Sequence, residues 1–308
     1  MAQLIATIQT ALPVFLALAL GMLCRQRVFL SRDGVDTLKK VVINITLPAV
    51  LLQAFASARY TLSTMVLPVL VFALCCLALV LGKAIARLLR IPGRLAPFVA
   101  TGFEAGMLGY ALFTLLFPQV SSAEFAILDL GQTLFVFTLF KILLSGKTDW
   151  KAIGHDMATT PILWAVLAGV ILGVSGLYEA MGSWGIRGIF DSAAEFVAAP
   201  TGMIILLTVG FDLVLKEVPW KKTAKLIVLR LVVMAAILGI LVVLNRTVLQ
   251  SVMFEGAALL LCILPPPYVI PVFADEPAER VQTASALSAL TLVTIVLFAL
   301  SSVFLSMA

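Results

Sequence analysis

Apolar residues run along this chain in blocks of about twenty, divided by short stretches in which arginine, lysine, proline and glycine gather. A helix that crosses the hydrocarbon of a bilayer needs about 20 mostly apolar residues. Blocks of that kind fall at residues 4–23, 36–56, 64–87, 96–118, 122–144, 158–177, 193–214, 224–244, 253–274 and 281–305. The pattern predicts an all-α polytopic membrane protein of ten transmembrane helices, spans 1 to 10 in chain order.

Composition narrows the picture further, with 62% of the residues hydrophobic and only 12% charged. Soluble globular domains average roughly a quarter charged residues. The 308 residues therefore hold too little polar surface to cover a water-facing ball, and the lipid bilayer is the expected partner for much of the exterior. A net charge of +5 would in a soluble protein point to nucleic acid. Here the basic residues sit in short loops and at span ends, which excludes that partner. The first apolar run lacks a basic n-region and a small-residue cleavage site, so it reads as a span and not as a signal peptide.

Lysine and arginine bias sets the expected orientation. Arg25 to Lys40, Lys83 to Arg94, Lys141 to Lys151, Lys216 to Arg230 and Arg280 fall on one side, and only Arg59, Arg187 and Arg246 fall on the other. This predicts a multi-pass protein of the cell membrane with both termini extracytoplasmic. Cys24, Cys75, Cys76 and Cys262 lack metal-ligand spacing and read as free thiols. His155, the single histidine, reads as a surface group, and Trp150, Trp184 and Trp220 as interfacial anchors.

An internal echo relates the two halves. Pro13 in span 1 corresponds to Pro161 in span 6, and Pro48 in span 2 to Pro200 in span 7, at offsets that agree to within about a helical turn. Five spans per half put the halves in opposite polarity, so the expected architecture is a 5+5 inverted repeat, residues 1–150 and 151–308. Many secondary transporters are built this way.

Spans 4 and 9 break the rules for a lipid-facing helix. Span 4 carries Gly102, Glu104, Gly106, Gly109 and Tyr110, and span 9 carries Pro265, Pro266, Pro267 and Tyr268. Each internal proline removes a backbone donor and costs about 3 kcal/mol or more in a helix. Irregular backbone at membrane depth is tolerated only inside protein or beside a wet cavity. Paired broken helices in matching positions of two inverted halves point to a substrate site, because free N–H ends hold anions and free carbonyl ends hold cations. The competing reading is a kinked packing helix, for which a single proline suffices.

Among intramembrane polar residues, Glu104 in the span 4 break is the first candidate for coupling to a proton or cation. Its structural alternative is a protonated carboxyl bonded to freed backbone. Asp129 is a second ion-coupling candidate or a solvated structural acid, Gln132 shares its face of span 5, and Asn44 lies one turn before Pro48. No cofactor or metal site is predicted, and no paired nucleophile and base points to an enzyme.

The run Pro13-Val-Phe-Leu with Gly21, the run Asn44-Ile-Thr-Leu-Pro48, the glycine break of span 4 and the proline break of span 9 resemble the auxin efflux carrier family. That family includes plant auxin exporters and bacterial carriers of dicarboxylates such as malonate and malate, and the resemblance extends over all ten spans. It implies a bacterial inner-membrane member that carries a small organic anion, a mono- or dicarboxylate or an auxin-like acid. It further implies a homodimer with a scaffold of spans 1, 2, 6 and 7 and a mobile transport domain of spans 3–5 and 8–10. The broken helices cross in that domain, and substrate bound beside the crossing moves in an elevator-like manner. Asn44, Gly106, Gly109, Tyr110, Gln132, Pro265, Pro266, Pro267 and Tyr268 are the expected substrate-binding residues, with Glu104 and Asp129 for ion coupling. Glu104 and Tyr110 stand near places where the family often has asparagine and proline, and a charged Glu104 would repel an anion. A sodium-coupled carrier of the bile-acid symporter type and a non-transporting membrane receptor are the alternatives.

Overall fold

A computed structural model describes residues 2–145, 158–213, 220–273 and 277–307. Among these residues the regular elements are helical and no strand occurs. Lys147, Trp150, Lys151, His155 and Lys216 lie outside them.

Local sequence explains where the helices of the first half start, bend and stop. Helix α1 spans Ala2–Gln26 and holds Pro13 inside it. Helix α2, Arg32–Ala56, begins where the Ser31 hydroxyl accepts from the Gly34 amide at 3.1 Å, an N-cap. It widens into a π turn at Val42–Thr46. Pro48 lacks an N–H and its ring crowds the carbonyl four residues earlier, at Asn44, which the wider turn relieves. A reciprocal Thr61–Thr64 cap opens α3, Leu62–Leu88. The four-residue α4, Ala96–Val99, is followed by an irregular stretch and then α5, Ala105–Leu116. Helix α6 spans Ser122–Leu144.

In the second half α7, Pro161–Val174, starts on proline, where no amide partner is lost. Gly176, at φ +72°, turns the chain by 63° into α8, Leu177–Ser183. Helices α9, Arg187–Ala198, and α10, Thr201–Asp212, are parted at Pro200. Helix α11, Trp220–Thr247, is followed by α12, Glu255–Ile263, a short 3-10 turn at Ile270–Phe273, and α13, Pro277–Met307.

Among the described residues six stretches are long and apolar enough to cross a membrane: α2, α3, α6, the α9–α10 pair, α11 and α13. They fall on expected spans 2, 3, 5, 7, 8 and 10, and the bent α7–α8 pair is a seventh candidate. Span 1 coincides with α1, while spans 4 and 9 are each interrupted.

Helix α1 packs along α10, α7 along α2, and α3 along α6, while α11 packs on α3, α12 and α13. Glycine makes the tightest of these approaches. Gly21 faces the Leu207 carbonyl and Gly210 faces Leu18, where an added Cβ would collide with backbone. Small residues at helix contacts are the usual means of close packing in lipid, where apolar side chains gain nothing by leaving the solvent. The buried interior is rich in phenylalanine, with Phe113, Phe125, Phe135 and Phe140 shielded completely. Large apolar side chains such as Val69, Phe196 and Phe304 are exposed, as a lipid-facing surface requires.

Candidate functional site

The two breaks lie against each other. After α4 the chain runs irregularly from Thr101 to Glu104, with Gly102 at φ +68°. That backbone conformation favours glycine, and a Cβ there would also press on the Pro267 ring at about 3.0 Å. Helix α12 ends at Leu264, whose extended ψ of 152° is what a following proline demands. Pro265, Pro266 and Pro267 are buried. The Glu104 amide donates to the Pro265 carbonyl at 2.9 Å, joining the breaks directly.

Each break presents a carbonyl end and an amide end, and the chain supplies a charge to both. The Arg230 guanidinium, 2% exposed, comes from the interior of α11. It donates to the carbonyls of Val99 at 2.9 Å, Gly102 at 2.9 Å and Leu264 at 2.7 and 3.1 Å. The Val99 and Leu264 carbonyls lie at the ends of α4 and α12, the negative ends of helix dipoles, and the Gly102 carbonyl belongs to the irregular stretch after α4. The guanidinium also lies 5.9 Å from the Phe103 ring centre, within reach of a cation–π contact. Glu104 takes the amide ends, accepting from Met107 N–H at 3.3 Å and Tyr268 N–H at 2.6 Å. The amides that a substrate anion would be expected to use are thus filled by the protein's own carboxylate.

Neighbouring side chains fix this geometry. Gln132 on α6 donates to the Phe103 carbonyl at 2.6 Å and accepts from the Phe103 amide at 3.4 Å. Asp129, one turn earlier and buried, accepts from the Tyr110 hydroxyl at 3.0 Å and the Thr133 hydroxyl at 3.3 Å. It is therefore an enclosed acid and not a solvated one. Thr294 on α13 donates to the Ile263 carbonyl at 2.6 Å.

Beside the breaks lies a cavity of about 430 Å³, within the size range of small-molecule sites. Lys39 and Ile43 of α2, with Thr208 and Asp212 of α10, line one wall. Met107, Tyr268, Ser288 and Thr291 line the other. The Tyr268 hydroxyl pairs with that of Thr291 at 3.1 Å. Tyr268 thus faces the cavity while its backbone amide holds Glu104. On the first wall Asp212 accepts from Arg32 and Lys39, each at 2.5 Å.

The structure gathers Glu104, Gln132, Pro265 and Tyr268 into one bonded group, with Asp129 and Tyr110 as a second pair. Gly106 packs on Leu47, and Gly109 on Phe125 and Leu264. Asn44 is exposed and turns back to the Lys40 carbonyl at 2.8 Å, while its neighbour Ile43 lines the cavity. Sequence reasoning missed Arg230, Arg32, Lys39 and Asp212. Arg230 was counted with the basic flank of span 8, and the structure corrects this: it is an interior residue that joins both breaks. An arginine flanked by apolar residues from Leu226 to Met234, and an acid inside the apolar run of span 7, were the available signals.

No family model matches the chain. It is 29% identical over 213 residues, 66% of its own length and 68% of the relative's, to a protein of Methanothermobacter thermautotrophicus named as an uncharacterized transporter. This likeness and the succession of apolar helices support a multi-pass membrane transporter.

Proposed function

We propose that this chain is a secondary carrier of a small organic anion, a mono- or dicarboxylate, working by an elevator-type movement. The observation that carries the reading is the cavity between α2 and α10 on one side and the paired breaks with α13 on the other. A solute held between two such walls changes its exposure when one wall slides past the other. On this reading α1, α2, α7 and the α9–α10 pair form the scaffold through which two copies join. The remaining helices move, the ten segments span the membrane as two inverted halves, and both termini are extracytoplasmic, as in the auxin efflux carrier family. The name of the Methanothermobacter relative supports transport and not enzymatic chemistry.

Glu104 is the coupling group in this proposal. Its carboxylate holds the Tyr268 amide, and the Tyr268 side chain lines the cavity, so protonation of Glu104 loosens a residue that the solute touches. Arg230 favours proton coupling or uniport over the sodium-coupled alternative. Three carbonyls at the breaks, of the kind that coordinate a metal cation, already accept from its guanidinium.

Flux into proteoliposomes, measured for a panel of mono- and dicarboxylates with imposed proton or sodium gradients, tests the proposal. Saturable flux that survives replacement of sodium by choline is expected, and Glu104→Gln should flatten its pH dependence while the protein stays folded. Absence of flux for every acid in the panel contradicts the carrier reading. An unchanged pH profile in Glu104→Gln removes Glu104 from coupling.

A further inference from the structure

The charged group at the cavity wall is more than the break geometry requires. Arg32 and Lys39 project from α2, six residues after the α1 helix ends for the first and two turns further on for the second. Both reach Asp212, the last residue of α10. Asp36, on the same face of α2, lies 3.6 Å from Arg32 and 3.9 Å from Lys39. Arg25 donates to the neighbouring Leu213 carbonyl at 3.3 Å. Three cations therefore converge beside two carboxylates, and Arg32, Lys39 and Asp212 all line the cavity. No other charged side chain lines it among the described residues. The amides at the breaks are taken by Glu104, so Arg32 and Lys39 are the cations that a solute anion in this cavity meets.

Resting on the carrier reading, we infer that Arg32 and Lys39 bind the carboxylate of the transported anion, and that Asp212 is an internal carboxylate that occupies them in the empty protein. The solute and Asp212 compete for the same two donors. When a carboxylate enters, Lys39 and Arg32 turn to it and Asp212 is left with less of their charge. When the solute departs, Asp212 takes the cations back. The exchange keeps the lysine and arginine paired throughout the cycle, which avoids leaving a cation unpaired in a partly closed site. It also keeps solute affinity below what two free cations would give, so that the anion can be released. The far wall, with the Tyr268, Ser288 and Thr291 hydroxyls among apolar side chains, fits the uncharged or hydroxyl-bearing end of a small acid.

Binding to the full-length protein in detergent, in buffer free of other carboxylates, tests the exchange without requiring flux. Acetate, malonate and malate are each titrated against thermal unfolding of the wild type, Asp212→Asn and Lys39→Gln. At least one of these acids is expected to stabilise the wild type. For that acid Asp212→Asn should bind about tenfold tighter and Lys39→Gln about tenfold weaker, the order of effect of one nearby charge in a partly desolvated site. The double variant Lys39→Gln/Asp212→Asn should bind more weakly than Asp212→Asn alone, and Asp212→Ser replaces the amide variant if the latter is not recovered folded. No binding of any of the three acids to wild type and Asp212→Asn alike, or binding to Asp212→Asn that is no tighter, overturns the inference. The expected binding pattern without flux in proteoliposomes removes the carrier reading and leaves the site. Flux with an unchanged KM in Asp212→Asn does the reverse.

Discussion

A guanidinium in the interior of an apolar helix must have its lost hydration replaced by protein groups. Arg230 meets that need through three backbone carbonyls, each of which is in turn left open by the irregular backbone at a break. Neither partner is stable without the other. Arg230→Met should therefore destabilise the protein by on the order of 3 kcal/mol or more, read as a lower unfolding temperature in detergent. Arg230→Lys should fall between, since an ammonium keeps the charge and loses the planar fork that serves several carbonyls at once. A variant as stable as the wild type would show that water or another group satisfies those carbonyls. Residues of this kind were the hardest to read from the chain. Arg230 follows Lys221, Lys222 and Lys225 closely enough to pass for their flank, and only the folded arrangement brings residue 230 to residues 99, 102 and 264. Glu104 was legible, because a carboxylate among glycines in an apolar run has few uses. That its partners would be the Met107 and Tyr268 amides was not legible, for the second lies 164 residues away.

At the scale of elements the sequence was more informative, because helix breaking is local chemistry. Three consecutive prolines end α12 wherever they are placed, and Gly102 permits the left-handed turn after α4. Pro48, which the sequence offers only as a mark of the internal repeat and of the Asn44 run, stands just after a π turn in α2. Helix pairing was less visible. Gly21 and Gly210 gave no sign of which helices they would bring together, since a close approach is a property of two surfaces and not of one. The proline break carries an expectation of its own. Pro266→Ala gives the chain a donor and a looser φ at the point where the Leu264 carbonyl must stay turned to Arg230 and Pro265 must accept from Glu104. The variant should remain folded with flux about tenfold slower, as when a site loses its rigid backbone placement. Wild-type flux in Pro266→Ala would count against a role for this break.

For the molecule as a whole, apolar blocks and basic loops were enough to give a multi-pass helical membrane protein. Loops expected on one side of the membrane do meet in space: Arg25 reaches Leu213, Lys225 reaches Leu89 and Arg94 reaches Leu144. The proposed movement goes beyond any single arrangement of these helices, since it concerns the displacement of α13 and the breaks past α2 and α10. Ile43 on α2 and Ser288 on α13 are partly exposed and line the two walls of the cavity. With the four native cysteines replaced by serine or alanine, Ile43→Cys/Ser288→Cys places one thiol on each wall. The most direct measurement is flux of a carried acid through this double variant before bridging with a reducible bifunctional thiol reagent, after bridging, and after reduction. The account predicts that bridging stops flux and reduction restores it, while the single-cysteine variants treated in the same way keep transporting. Undiminished flux through bridged protein would show that the two walls do not move relative to each other and would contradict the mechanism.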